Sequence, residues 1–334
     1  MQDFYSFFSD VNTLLKVSFI FMTSVIMLFL AEKFSYRFGF VDKPNSRSNH
    51  NKPIALGAGI VIIPLIVISA IINNYIWDKT ILISLLILFL ISVLDDIKNI
   101  RPLPRLFFHF LAITIFVYFY INPKIYYLFY DNDYLYLLSS LFLIIGLSWF
   151  INAFNFMDGI NGITAVEVIS LCLSLMLISF YLNKEVNVLA LSVLIIVSTF
   201  CYFNWTPASI FLGDSGSIPL GFISIYLLTD LALTGMWLAA VILPLYYLMD
   251  TSIILIKRIF QKKRFWEAHS EHYYQQAIKN GYSHSSVSIR LLIINMGLFM
   301  LSFFTVMYKN EVIFFIIGMV WCTLFMYLFS NKTK

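Results

Sequence analysis

The chain has 334 residues, of which 60% are hydrophobic and only 12% charged, against roughly half and a quarter in soluble domains. A water-soluble globular fold is thereby excluded. The formal net charge of +4 requires no nucleic acid to explain it, and no nucleic-acid module is recognisable.

Apolar runs long enough to cross a ~30 Å hydrocarbon core, about 20 residues as helix, begin near Leu14, Leu56, Ile81, Leu106, Leu135, Ile163, Val186, Ile218, Met236, Val287 and Val312. They predict an all-α, polytopic membrane bundle of about eleven transmembrane helices, a single integral-membrane domain over residues 1–334. The run from Ile81 is short and ends on an Asp pair, and the stretch Ile218 to Ile256 must be split near Asp230. Met1, Gln2 and Asp3 lack the basic start of a cleavable signal, so the first helix is expected to stay. Cys172, Cys201 and Cys322 have neither zinc-site nor disulfide spacing and read as packing residues.

Charge orients the bundle. With the amino terminus outside, seventeen Lys and Arg fall on inside loops and five outside, the latter being Lys16, Lys79, Lys124, Lys184 and Lys309. This positive-inside bias predicts a multi-pass plasma (inner) membrane protein with a cytoplasmic carboxyl terminus, whose basic residues meet anionic lipid or phosphate. The inside loops also hold nearly every unusual cluster, starting at Val41, Asp95, Asn152, Asn204 and Lys257, so the chemistry is expected on cytoplasmic loops.

Asp95 and Asp96 meet the interface as adjacent carboxylates, which repel unless a cation, a basic group or a proton relieves them. They read either as ion- or proton-handling acids or as interfacial helix caps; Arg101 and Arg105 follow closely enough to sit beside them and hold phosphate. Asn152, Asn155 and Asp158 recur every three residues, on one helical face before Gly159 and Gly162. Three oxygen-bearing side chains suit a hard cation such as magnesium; helix capping is the plain alternative. Within Phe211 to Ser217, Asp214 lies between two glycines at a helix entrance, with backbone N–H groups at hand for phosphate, though a capped turn reads the same way. His269 and His272 share a loop with Lys262, Lys263 and Arg264, suited to a diphosphate; a solvated basic loop and a zinc site are the alternatives, the latter short of ligands. Glu167 and Asp250 lie in apolar helices, where a charge calls for a partner.

Taken in order, these clusters resemble the polyprenyl-phosphate N-acetylhexosamine-1-phosphate transferases, which include the peptidoglycan translocase and initiators of O-antigen and teichoic acid synthesis. The matching pieces are Asp42, Pro44, Arg47 and His50 with Gly57 and Gly59; the Asp95-Asp96 pair; Asn152, Asn155 and Asp158-Gly159; Gly213 to Ser217; and the late histidine loop. The resemblance implies transfer of an N-acetylhexosamine 1-phosphate, deoxygenated sugars included, from a UDP-sugar to undecaprenyl phosphate. It implies catalytic acids at Asp95, Asp96 and Asp158, and ligands for magnesium, or alternatively manganese, at Asn155 and Asp214. Substrate contacts are implied at Arg47, Arg105, Asn152, Phe211, His269 and His272, with Phe211 stacking on uracil. Arg105 replaces a lysine common among relatives, and Asn161 stands where some carry a second Asp. The late loop, Trp266 to Gln275, lacks consecutive histidines and is more similar to members that begin O-antigen or capsule repeats of lipopolysaccharide and other surface polymers. The expected partners are the UDP-sugar, the polyprenyl phosphate and membrane lipid, with oligomers left open. The competing class is a transporter with an interfacial polar site; transporters tend to place polar residues near the bilayer midplane and in repeats, neither of which is seen.

Overall fold

A computed structural model describes residues 10–44, 52–129, 132–263, 269–308 and 310–332. Helix accounts for nearly all of it. In chain order come α1 (Val11–Phe38), a two-stranded hairpin of β1 (Val41–Asp42) and β2 (Ile54–Ala55), α2 (Ala58–Ile72), α3 (Lys79–Lys98) and α4 (Pro102–Phe116). α4 runs on through a π turn into short α5 (Asn122–Ile125), followed by α6 (Asp133–Met157), α7 (Ile163–Tyr181), α8 (Val188–Asn204) and α9 (Asp214–Ala232). Then come α10 (Trp237–Ile242), α11 (Leu245–Phe260), α12 (Tyr273–Lys279), α13 (His284–Tyr308) and α14 (Glu311–Ser330).

Each run start predicted from the sequence falls within a helix or at most two residues before one. Among the described residues, 8 helices are long and apolar enough to cross a membrane, with α2 and α8 as shorter apolar helices. α10 and α11 form the remaining segment, broken at Pro244, which can neither donate a backbone hydrogen bond nor sit inside a regular helix. The protein is a polytopic helical membrane protein. The hairpin is a small exception to the all-α expectation: Val41 pairs with Ala55 and Asp42 with Ile54, and Ile210 bridges to Ala55 alongside.

α9 is the axis of the bundle. Nearly every residue from Ser215 to Leu231 is buried, and the helix packs against α2, α3, α6, α7 and α10. A helix that is apolar all round belongs inside a bundle, and the small residues at its start let neighbours approach closely. The tightest approach is Gly59 of α2, where an added Cβ would lie 2.1 Å from the Gly216 backbone nitrogen. α1, by contrast, exposes Leu14, Leu15, Phe19, Met22 and Ile26, as expected of a lipid-facing surface. Hydroxyls inside the bundle bond back to carbonyls four residues earlier, as Ser24 does to Ile20, Thr199 to Ile195 and Thr229 to Ile225, which satisfies them where no water is available.

Candidate active site

Packing α9 at the centre puts Asp214, its first residue, at the meeting point of several loops on one face of the bundle. Asp96, at the end of α3, accepts hydrogen bonds from the backbone N–H groups of Asp214 (2.8 Å) and Ser215 (3.0 Å). It therefore caps α9 from a neighbouring helix, placing a negative charge at the positive end of the helix dipole. The close approach requires a glycine before it: a Cβ on Gly213, whose φ is +76°, would stand 2.6 Å from Asp96 Oδ2. One expectation is corrected here, because the backbone N–H groups of Asp214 and Ser215 at the helix entrance are already occupied by Asp96 and are not open to phosphate.

Asp95 behaves differently. Its Oδ1 accepts the Ile100 N–H at 2.6 Å and its Oδ2 accepts from Arg105 Nη1 at 2.6 Å. The same Nη1 reaches Asp214 Oδ2 at 2.9 Å, so one guanidinium nitrogen ties α3 to α9. Asp214 Oδ1 accepts from Asn155 Nδ2 at 2.9 Å, and that amide also donates to Ser217 Oγ at 2.8 Å. Four sequence-predicted residues, Asp95, Arg105, Asn155 and Asp214, are thus joined in one network with Asp96 beside it.

Asn152, Asn155 and Asp158, expected on one face, address three different neighbours. Asn155 alone reaches Asp214. Asp158 lies just past the last turn of α6 and accepts from Thr164 Oγ1 at 2.6 Å. Removal from water by the surrounding protein pushes its carboxyl up to about 6 against the pull of that bond. Asn152 is buried, accepts from His109 and donates to the Ser148 carbonyl at 2.7 Å, so it sits behind the site and not at the expected substrate contact.

A cavity of about 440 Å³ opens over the network, lined by Asp96, Asn155, Asp158 and Asp214 together with Phe211, His269 and others. Phe211 is held there by paired backbone: its N–H donates to Ala55 and its carbonyl accepts from Gly57 and Ala58. Asp42, Gln275 and His284 also line the cavity. None of these three was picked out from the sequence as a site residue, although Asp42 had drawn notice inside a short Asp-Pro-Arg-His stretch.

The late loop is anchored by Asp250, fully buried on α11. Its carboxylate accepts from the backbone N–H groups of Tyr273 (3.0 Å) and Tyr274 (3.3 Å), from Tyr246, and faces His272 Nδ1 at 3.1 Å. His272 is therefore buried in the support of α12, away from the cavity where substrate contact was expected. His269, whose ring lies 4.9 Å from that of His272, lines the cavity instead. Burial, then the proximity of His272 and Arg258, lowers its imidazole to about 4, so at neutral pH it meets a ligand as a neutral hydrogen-bonding group and not as a cation. The Tyr274 hydroxyl donates to the Phe156 carbonyl at 2.9 Å, pinning α12 against the turn that carries Asp158. Arg47, expected to contact substrate, lies outside the described residues.

Comparison with known proteins follows this geometry. Residues 79–232, the span from α3 through α9 that holds the whole carboxylate network, match the model of glycosyl transferase family 4. A phospho-N-acetylmuramoyl-pentapeptide-transferase of Kosmotoga olearia is 30% identical over 264 residues, covering 72% of this chain and 80% of the relative. The chain belongs to glycosyl transferase family 4. A probable undecaprenyl-phosphate N-acetylglucosaminyl 1-phosphate transferase of Bacillus subtilis is 26% identical over 79% of this chain and 76% of its own length. A pentapeptide-transferase of a Wolbachia symbiont of Brugia malayi matches at 29% over about half of each chain. In this family member, then, Asp96 of α3, Asn155 of α6 and Asp214 of α9 converge on one cavity.

Proposed function

We propose that this family 4 member transfers an N-acetylhexosamine 1-phosphate from a UDP-sugar to a polyprenyl phosphate, on the cytoplasmic face of the plasma membrane. The observation that carries the reading is the cavity: carboxylates from three helix ends face an aromatic, Phe211, and His269, with Arg105 the cation bound to Asp214. The lipid phosphate oxygen attacks the sugar-attached phosphorus, the bond from that phosphorus to the bridging oxygen breaks, and UMP leaves with the bridging oxygen. One phosphoanhydride replaces another, so the equilibrium is shallow and catalysis rests on in-line placement and charge neutralisation.

Among the described residues the carboxylates Asp95, Asp96, Asp158 and Asp214, with Asp42 also at the cavity wall, outnumber Arg105, and this excess of negative charge suits a hard cation. The positions that the family resemblance marks for a metal, Asp214 and Asn155, lie side by side here and would hold magnesium or manganese. Neighbouring oxygens about 2.0–2.1 Å from magnesium lie roughly 2.9 Å apart, the separation of the Asn155 amide from Asp214 Oδ1, 2.9 Å. Turning the amide presents its carbonyl oxygen instead, and Ser217 Oγ, able to donate as well as accept, stays satisfied. Bound there, the ion would neutralise phosphate oxygens. Arg105 holds the phosphates from the other side, Phe211 stacks on the uracil, and Asp158 supplies a carboxyl that takes or gives a proton near neutral pH. The late loop, without consecutive histidines, favours an O-antigen or capsule sugar over the peptidoglycan precursor.

The test is to incubate membranes containing the protein with polyprenyl phosphate, magnesium and a panel of radiolabelled UDP-N-acetyl sugars. A lipid-linked sugar diphosphate with release of UMP is expected; no lipid-linked product from any of them overturns the reading.

A further inference from the structure

Arg105 works through one nitrogen, and two buried nitrogens close to it have no partner among the described residues: its own Nε and His109 Nε2. The two residues are four apart on α4, on one face of the helix, where side chains meet. The protonation of the imidazole follows from its other contact. Asn152 Nδ2 is committed to the Ser148 carbonyl at 2.7 Å, so the atom facing the ring is the oxygen, an acceptor. His109 Nδ1, 3.2 Å from that oxygen, therefore carries a proton; its partner there is a neutral amide with no carboxylate to hold a second proton, so in the neutral ring Nε2 is a bare lone pair. His109 is fully buried, so no solvent meets that lone pair. A buried donor and a buried acceptor, each unmet, lie a turn apart, and both are relieved if they meet.

Arg105 Nη1 is meanwhile held by both Asp95 and Asp214. Phosphates entering the cavity beside Asp214 compete for the same guanidinium. We propose that His109 is a positioning residue for Arg105: a neutral imidazole, oriented by Asn152, that accepts the Arg105 Nε–H once Nη1 leaves Asp214, and so aims the guanidinium fork at the substrate phosphates. With Nε anchored, the two terminal nitrogens point one way, the geometry in which arginine binds phosphate bidentately. Asn152 then acts on substrate through two residues, and the sequence reading of Asn152 as a substrate contact is replaced by orientation of His109. The proposal rests on the sugar-phosphate transfer reading.

The experiment is a double-mutant cycle on the full chain in membranes, with polyprenyl phosphate varied at fixed UDP-sugar and each variant checked for insertion and thermal unfolding. His109→Leu should lower kcat/KM for the lipid phosphate by roughly tenfold, a coupling normal for contacting side chains. His109→Gln, whose amide oxygen can accept the same proton, should recover most of it. In an Arg105→Lys background, which has no Nε–H, His109→Leu should add little. If the leucine variant is not recovered folded, His109→Gln and His109→Asn, in both backgrounds, carry the same comparison, the shorter amide being the one that fails to reach. An equal cost in both backgrounds, or no recovery by glutamine, overturns the proposal while wild-type turnover leaves the transferase reading standing. Absence of wild-type product from every UDP-sugar overturns both.

Discussion

Two faces of this bundle bury charge, and they bury it differently. At the far ends of α2, α4 and α9, Tyr120 donates to Asp230 at 3.2 Å, Tyr75 and Tyr226 share a hydrogen bond, and Lys124 lies 3.3 Å from the centre of the Tyr120 ring. One carboxylate there meets a phenol donor with an ammonium group close at hand, and the cluster only holds helices together. At the other end of α9, Asp96, Asp158 and Asp214 line a cavity, with Asp95 and Arg105 paired behind them, so that carboxylates outnumber Arg105 among the described residues. Polar groups that satisfy one another fix a structure; charge in excess over its partners, beside open space, is arranged for a ligand.

If that contrast is sound, activity should be concentrated at one end of α9. Asp214→Ala should lower turnover by about 10³-fold or more in protein that still inserts and folds, the scale expected when a group that neutralises transition-state charge is lost. Chelation of divalent cations should do the same, and normal turnover in chelator would remove Asn155 and Asp214 as metal ligands. Arg105→Lys should cost about 10²-fold, because a lysine keeps the charge but cannot bridge two carboxylates and a phosphate with a planar fork; steady-state kinetics in lipid phosphate would show it.

Smaller effects sharpen the comparison. Asp96→Ala removes the cap of α9 and should lower unfolding stability by about 1–2 kcal/mol, measurable by thermal unfolding in detergent; an unchanged melting temperature would return Asp96 to a purely chemical role. Asp158 contributes a pH dependence whose sign follows from its raised carboxyl, about 6 against an ordinary aspartate's 3.8. The folded protein holds this proton more tightly than the unfolded chain, so the contribution is fully present below about pH 4 and is lost as pH rises through about 6. Asp158→Asn should flatten that part of the stability profile. The smallest effect on turnover belongs to the far face: Tyr120→Phe should cost roughly 1 kcal/mol of stability and leave kcat/KM within about twofold. A large loss of activity in that variant would break the division between the two faces.

Residue by residue, legibility followed how local the physics is. Run lengths and charge bias set the helices, since a span needs only enough apolar residues in a row, and they located the breaks at Asp95-Asp96 and near Asp230. Asn155, Asp214 and Arg105 were readable because their residue types are unusual at the end of an apolar run. Asn152 and His272 were misplaced for one reason: each has the right residue type within reach of the site in sequence, but its rotamer is taken by a buried partner, Ser148 and His109 in one case and Asp250 in the other. His109 was not among the candidate residues read from the sequence, and it is the opposite wall, α6, that shows its ring to be oriented.

By itself the sequence determined a polytopic helical membrane bundle, because hydropathy acts over short stretches of chain and does not depend on what lies opposite. Only the tertiary structure decided that Asp96 caps α9 while Asp95 holds Arg105. These adjacent, chemically identical residues leave α3 about 100° apart, and what each meets is set by helices more than a hundred residues away or by the turn just beyond.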